Sequence, residues 1–439
     1  MTRSINTNRL FLGSCLALLV TSLTFAIRAK IEGVFSTDFH LSGEEIGWAF
    51  GPAFWGFTLA TFAGGLILDI LKTKRIVWIA FVSHAVGLTL LLLSKDKTTL
   101  FVSNLFIGFG NGSVEAACNP LIATLYPADK SKMLNRFHVW FPGGIVIGGL
   151  LSWLIITNLG LSWQVLTSLL FLPLGLYGYL FYGEVIPETE RVATGVSYRE
   201  MIKNIAAPIT IIALVSLMIL AAAVPSFHPD FTSNLAYLVI AIIAILVVIE
   251  GKIINRMNLL FPLMVFAMFL TASTELGTNQ WINALLEGVG IDPMIILVVV
   301  TGIMAVGRYF AGPLIHRLNP GGVLLGSSVL SVIGLYLLSS SEGMAETMGS
   351  AVIFAIGICY FWPTMLGFVS EYMPKTGALG LSVMGGAGMV ATSMVLPVMG
   401  RSIDNAGPQL TLRYMTVLPA VLILLFILIL FLVKNRTRS

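Results

Sequence analysis

The chain has 439 residues, of which 57% are hydrophobic and only 10% charged, and its mean hydropathy is +0.93. Water-soluble domains are roughly a quarter charged, so no aqueous core accounts for this mix, and lipid is the expected solvent for most of an all-α, polytopic membrane protein. The formal charge of +4 is scattered through short breaks between apolar runs, which excludes a nucleic-acid-binding patch.

From the N-terminus, Arg3 and Arg9 precede an apolar run that has the look of a signal peptide. A retained first span is the preferred reading, because cleavage would break the even count that follows. Hydropathy and Gly, Pro and charge punctuation give six spans: Leu10 to Phe35, Ile46 to Leu71, Ile76 to Ser94, Leu100 to Tyr126, Leu134 to Thr157 and Ser162 to Val185. A polar linker from Ile186 to Asn204 follows, in which Tyr198, Met201, Ile202 and Ile205 are spaced as one helix face. Two aliphatic spans, Ile205 to Val224 and Leu235 to Ile254, carry no buried charge. Six more end the chain: Leu259 to Leu286, Pro293 to Ile315, Val323 to Ser341, Met348 to Tyr372, Gly377 to Met399 and Thr411 to Val433. The expectation is fourteen spans in three parts: a six-helix bundle over residues 1–186, a linker with two extra helices over 187–257, and a second six-helix bundle over 258–439. A re-entrant pair at the centre would leave twelve. Cys15, Cys118 and Cys359 lie inside spans with neither metal nor disulfide spacing.

Basic residues test this drawing, because they collect in alternate, cytoplasmic loops when spans are placed correctly. With the N-terminus inside, eighteen fall on the cytoplasmic side and only Lys95, Lys97, Arg401 and Arg413 outside, while Arg28, Lys30 and Arg308 lie within spans. Both termini are therefore expected in the cytoplasm. Short loops without outward glycosylation sites fit a cell inner membrane.

The two sixes share a turn after their second span. Gly65-Leu-Ile-Leu-Asp69 leads into Lys72, Lys74 and Arg75, and Gly312-Pro-Leu-Ile-His316 leads into Arg317. This resembles the signature loop of the major facilitator superfamily, with Ile70 and Lys72 standing where an Arg and a Gly are usual. Gly108-Phe-Gly110-Asn-Gly-Ser-Val-Glu115-Ala-Ala-Cys-Asn119-Pro120, followed by Leu134-Asn135-Arg136, is similar to the fourth span of the L-fucose and glucose/galactose proton symporters within that superfamily. Glu275 to Trp281, Phe361-Trp362-Pro363-Thr364, and Gly385-Gly386 with Pro397 add to the likeness. The resemblance implies two pseudo-symmetric bundles that rock about a central site, gate charges at Asp69, Arg75, Arg308 and Arg317, and cation-coupled uptake. One departure is that Ala29 stands where those symporters place a proton-handling Asp, so their proton route does not transfer whole.

Ionisable groups at membrane depth cost at least about 2.5 to 3.5 kcal/mol and therefore face protein or water. Glu115 lies roughly 22 Å into its span, and Asn111, Glu115 and Asn119 share one helix face. Glu275, Asn279 and Asn283 form a matching stripe in the second bundle. Glu115 and Glu275 are the candidate proton carriers. Arg28, Asn111, Asn119, Asn279 and Asn283 are candidate solute contacts, with Trp281 and Trp362 as stacking surfaces for a ring. For each, polar glue or packing between helices is the bland alternative. Arg28 pairs within its helix with Glu32 or binds an anionic solute; Arg308 needs a partner from another span. His84 and His138 read as bonded core histidines.

No GxSxG, HExxH, paired-Asp metal motif or P-loop is present, so an enzyme or ATP-driven pump is not expected. The expected function is secondary active transport, a proton symport of a sugar or sugar-like solute, acidic ones included. An organic-anion transporter or exchanger using Arg28 and Arg308 is the alternative. No cofactor beyond the coupling ion is expected, and the partners are a small polar solute and the lipid bilayer around a monomer.

Overall fold

The computed structural model describes residues 4–38, 49–205, 260–280 and 293–436, and the described residues are helical with no strand. The inserted pair from Ile205 to Val224 and Leu235 to Ile254 falls, Ile205 apart, outside them, as do Trp281 and Asn283.

Twelve long rods are described. In the first bundle they are α1 (Thr7–Asp38), α2 (Pro52–Leu71), α3 (Thr73–Leu92), α4 (Lys97–Leu125), α5 (Lys130–Asn158) and α6 (Trp163–Phe181). Two short helices, α7 (Glu190–Ala193) and α8 (Tyr198–Ile205), form the linker. The second bundle contains α9 (Leu260–Gln280), α10 (Pro293–Tyr309), α11 (Ala311–Leu338), α12 (Met344–Tyr372), α13 (Pro374–Ala406) and α14 (Pro408–Lys434). Ten of the twelve are long and apolar enough to cross a bilayer. The others are α10, which is short, and α4, which buries Asn104, Asn111, Glu115 and Asn119 within the protein.

Local chemistry sets the boundaries. Asp96 caps α4, its carboxylate accepting from the Thr99 backbone N–H at 2.8 Å while the Thr99 hydroxyl returns to the cap. Pro52 and Pro408 open α2 and α14, where a missing N–H costs nothing. Gly407, at φ +84°, turns α13 into α14. The internal repeat is visible in the backbone. Lys72 (φ 70°, ψ 144°) lies seven residues after Gly65, and Asn319 (φ 55°, ψ 165°) seven after Gly312. These are the only described non-glycine residues at positive φ; Lys72 separates α2 from α3, and Asn319 kinks α11 at the corresponding place in the second half. Asn319 offsets its strain in part, since its side-chain oxygen accepts from the Gly322 N–H at 3.0 Å. Lys72 has no such side-chain cap.

Within the first bundle α2 lies tight against α4, because Gly108 and Gly112 face the backbone of Ala53 and Phe57 and leave no room for a Cβ. Between bundles, α2 and α4 pack on α13, and α5 packs on α10 and α12. The core is continuous across this seam. Ends of α2, α4, α6, α12 and α14 gather on one side together with Lys72, Lys74, Arg75, Lys130, Lys132 and Lys375; this side is called the basic face below.

Candidate functional site

A small, partly open pocket lies between the bundles, lined by Phe57, Glu115, His138, Phe141, Glu275, Leu276, Arg308, Trp362 and Met389. Glu115 comes from α4, His138 from α5, Glu275 from α9, Arg308 from α10 and Trp362 from α12, so the site is assembled from both halves. Arg308 is the largest fully buried side chain, 1% exposed. Its Nη2 donates to Glu275 Oε1 at 2.8 Å, Nε to the Cys359 carbonyl at 2.7 Å and Nη1 to the His138 carbonyl at 3.2 Å. The last bond crosses from the second bundle to the first. Arg308, expected among the gate charges, thus sits in the central pocket instead.

His138 Nδ1 lies 3.0 Å from the Leu134 carbonyl. A carbonyl only accepts, so Nδ1 carries the hydrogen, and in the neutral ring Nε2 presents a lone pair. That lone pair faces Glu115 Oε1 at 3.6 Å, and both residues are buried. A lone pair set against a carboxylate repels; one added proton, on either group, turns the pair attractive. The other Glu115 oxygen accepts from the Asn119 amide one turn on.

Six polar atoms of lining residues or of their neighbours along α4 and α9 are buried without a hydrogen-bond partner among the described residues: Glu275 Oε2, His138 Nε2, Asn119 Oδ1, Ser273 Oγ, Thr278 Oγ1 and Asn279 Oδ1. Four of the six lie within residues 273–279, where α9 loosens into a π-helical turn over Ser273–Gly277. Such turns recur at functional sites.

Other expected residues lie elsewhere. Asn111 is consumed inside the first bundle, donating to Thr24 Oγ1 at 3.1 Å and bonding His84 Nε2 at 2.9 Å, while His84 Nδ1 meets the Tyr177 hydroxyl at 3.1 Å. Arg28 stacks with Phe25 and Phe54, 4.7 and 4.8 Å from their ring centres, and lines a separate cavity with Asn104 and Thr167. Arg28 and Arg308 therefore line different pockets in this structure. The Glu32 side chain lies outside the described residues.

The basic face is sealed. Asp69 meets Arg191 Nε at 2.5 Å and accepts from the Thr189 hydroxyl, both partners coming from the linker. Arg75 and Arg317, expected as gate charges, are exposed, so the carboxylate is neutralised by the linker rather than by its own loop. Lys130, 7% exposed at its side chain, reaches Glu190 at 2.7 Å and the Ser370 carbonyl at 3.1 Å. Glu371 accepts from the Ser131 N–H at 2.9 Å, and Asn135 donates to Thr364 at 3.1 Å. Lys375 meets Glu200 of α8 at 2.8 Å, and Met201 packs by Gly377. The linker grips α2 and α5 with one end and the α12–α13 turn with the other. Its contribution and that of His138 are not legible from spacing, because their partners are distant in sequence.

Two six-helix bundles with a buried charged pocket at their seam and one end closed define a transporter architecture. Residues 10–376 match the Major Facilitator Superfamily profile, and the chain belongs to that superfamily, whose members carry small solutes across membranes. A stretch of 165 residues is 28% identical to the cis,cis-muconate transport protein of Acinetobacter baylyi, covering 37% of this chain and 39% of that protein's length. Among solved structures, the human organic anion transporter MFSD10 superposes with a TM-score of 0.68 at 15% identity, over 96% of this chain and all of that one. The transporter FucP in its outward conformation gives 0.68 at 17% identity, over 96% and 98% of the two chains, and the E. coli protein of that name is described as a fucose:proton symporter. At these identities the structures establish the fold.

Proposed function

We propose that the protein is a secondary transporter that works by alternating access and carries a small organic anion with protons. The observation that carries this reading is Arg308, a fully buried cation in a pocket between the two bundles that it shares with Glu115, His138 and Glu275 and whose apolar walls are Phe57, Phe141, Leu276, Trp362 and Met389. A neutral sugar presents a ring of hydroxyls and calls for amide and hydroxyl partners. Among the nine lining residues there is no Asn, Gln, Ser or Thr. A flat, partly apolar carboxylate fits such walls better, with one charged end at the guanidinium. The partial likeness to a muconate transport protein points the same way.

Charge balance supplies the coupling. With His138 neutral, two carboxylates and one guanidinium leave the pocket one negative charge in excess, and charge in a bilayer core is costly. A proton shared by Glu115 and His138 removes the excess; a further anion needs a further proton. By the distribution of basic residues the sealed face is cytoplasmic, so the described arrangement is closed to the cytoplasm, and both termini lie there in a cell inner membrane.

A thermal-shift screen followed by liposome uptake tests this. Muconate, benzoate and fumarate are expected to stabilise the purified protein and to accumulate under an inside-alkaline pH gradient, and neutral hexoses to do neither. Protection by hexoses with no response to carboxylates would restore the sugar reading, which draws on the Gly108 to Pro120 pattern.

A further inference from the structure

We propose that Glu275 is a built-in substitute for the transported carboxylate: the solute takes its place on Arg308, and Glu275 leaves the ion pair by accepting the proton that enters with the solute. This rests on the organic-anion reading above and assigns the second proton of the cycle. The geometry of Arg308 is the first support. Two of its nitrogens are held by the Cys359 and His138 carbonyls, which fix the guanidinium without neutralising it. Its single anionic partner among the described residues is Glu275, and only one carboxylate oxygen is engaged. Guanidinium and carboxylate pair best through two parallel bonds, so the pair is incomplete.

The second support is Glu275 Oε2, buried and without a side-chain hydrogen-bond partner among the described residues, with the Trp362 backbone amide alone facing the carboxylate from the main chain. A buried acceptor left unmet is costly and rare, and this one has a free lone pair where a proton can settle. Third, the helix segment that carries it is π-helical over Ser273–Gly277, with Ser273, Thr278 and Asn279 also holding unmet oxygens. A turn with so few commitments is free to retract the side chain. The groups facing Glu275 are Arg308 of α10, His138 of α5, Cys359 and the Trp362 backbone amide of α12, and Glu115 of α4 across the pocket, while α13 contributes Met389. Arg308 therefore supplies the fixed positive charge, and Glu115 with His138 is the competing proton site.

The exchange balances. An anion R–COO⁻ and one H⁺ enter; the proton bonds to Glu275 Oε2, the Glu275–Arg308 contact breaks, and the solute carboxylate forms the new contact. Net charge in the pocket is unchanged, and reversal on the other side of the membrane releases both.

Isothermal titration of benzoate into the purified protein, in two buffers of different ionisation heat, reads the proton directly. The wild type is expected to take up about one proton per benzoate, and its affinity to fall about tenfold per pH unit as pH rises. Glu275→Gln, which keeps the shape of the neutral acid, is expected to bind benzoate without proton uptake and with an affinity that no longer depends on pH. Glu115→Gln is expected to retain the uptake. Benzoate binding to wild type with no proton taken up, or uptake that survives in Glu275→Gln and vanishes in Glu115→Gln, overturns the exchange while leaving the organic-anion reading intact. If no carboxylate of the screen binds, both fall. Should Glu275→Gln not fold, Glu115→Gln decides: uptake retained there supports the exchange at Glu275, and uptake lost there overturns it.

Discussion

The central pocket and the sealed basic face use the same residue types to opposite ends. At the seal, Asp69 meets Arg191 and Thr189, Lys130 meets Glu190 and a backbone carbonyl, and Glu371 and Glu200 each find a donor across the seam or linker. In the pocket, Arg308 and Glu275 share a single bond, His138 faces Glu115 through a lone pair, and six polar atoms nearby lack partners. The ionised groups just named at the seal are paired, although Ser131 Oγ, Asn135 Oδ1 and Arg136 Nε there are buried without partners among the described residues, and paired charges hold one conformation in place. Incomplete pairing keeps ligand and proton sites ready at some cost in stability.

The sharpest way to break this contrast is Arg308→Ala. It leaves Glu275 buried and unpaired, and the expected cost is about 3–5 kcal/mol of stability with transport abolished, read by thermal melting and by uptake into liposomes. Melting unchanged from wild type would mean that the pocket cation is not balanced by Glu275. Next comes Glu115→Gln, which removes a proton-binding oxygen without changing shape. Gradient-driven accumulation should fall at least about tenfold, the equivalent of one pH unit of lost driving force, while ligand-induced stabilisation persists; accumulation at the wild-type rate would remove Glu115 from the coupling path.

A smaller effect is expected at the seal. Asp69→Ala strands Arg191 and Thr189 and should weaken closure by about 1–3 kcal/mol, seen as faster labelling of a cysteine placed at Ala378, which lines the cavity behind the linker. Unaltered labelling would show that the linker does not hold that face shut. The least effect is Lys72→Gly. Relief of a backbone conformation suited to glycine is worth about 1–3 kcal/mol, less about 0.5–1 kcal/mol for the greater freedom of an unfolded glycine. A small rise in melting temperature should follow, and Asn319→Gly should give less, because it forfeits the bond to Gly322.

The fold was readable from the amino-acid order where physics acts locally. Apolar runs bounded by Gly, Pro and charge mark the described rods, and the Gly65 and Gly312 turns mark the repeat that recurs in the backbone at Lys72 and Asn319. The site was readable only as an inventory of buried ionisable groups. Spacing puts Asn111 on one face with Glu115, yet it says nothing of His84 and Thr24, which occupy its amide from other helices. His138 looks like any lone histidine until α5 is set against α4 and α10. Asp69 has Arg75 close by in its own loop, and nothing in the order of residues shows that Arg191, 122 positions away, is its partner.

One contact has an effect on how such a molecule is mapped. The bond from Arg308 to the first bundle ends on the main-chain oxygen of residue 138, which every amino acid possesses. A scan that trims side chains one at a time through the first half would therefore pass over one of the ties joining the two halves. Only changes on the Arg308 side, or replacement of a backbone amide by an ester, would reveal it.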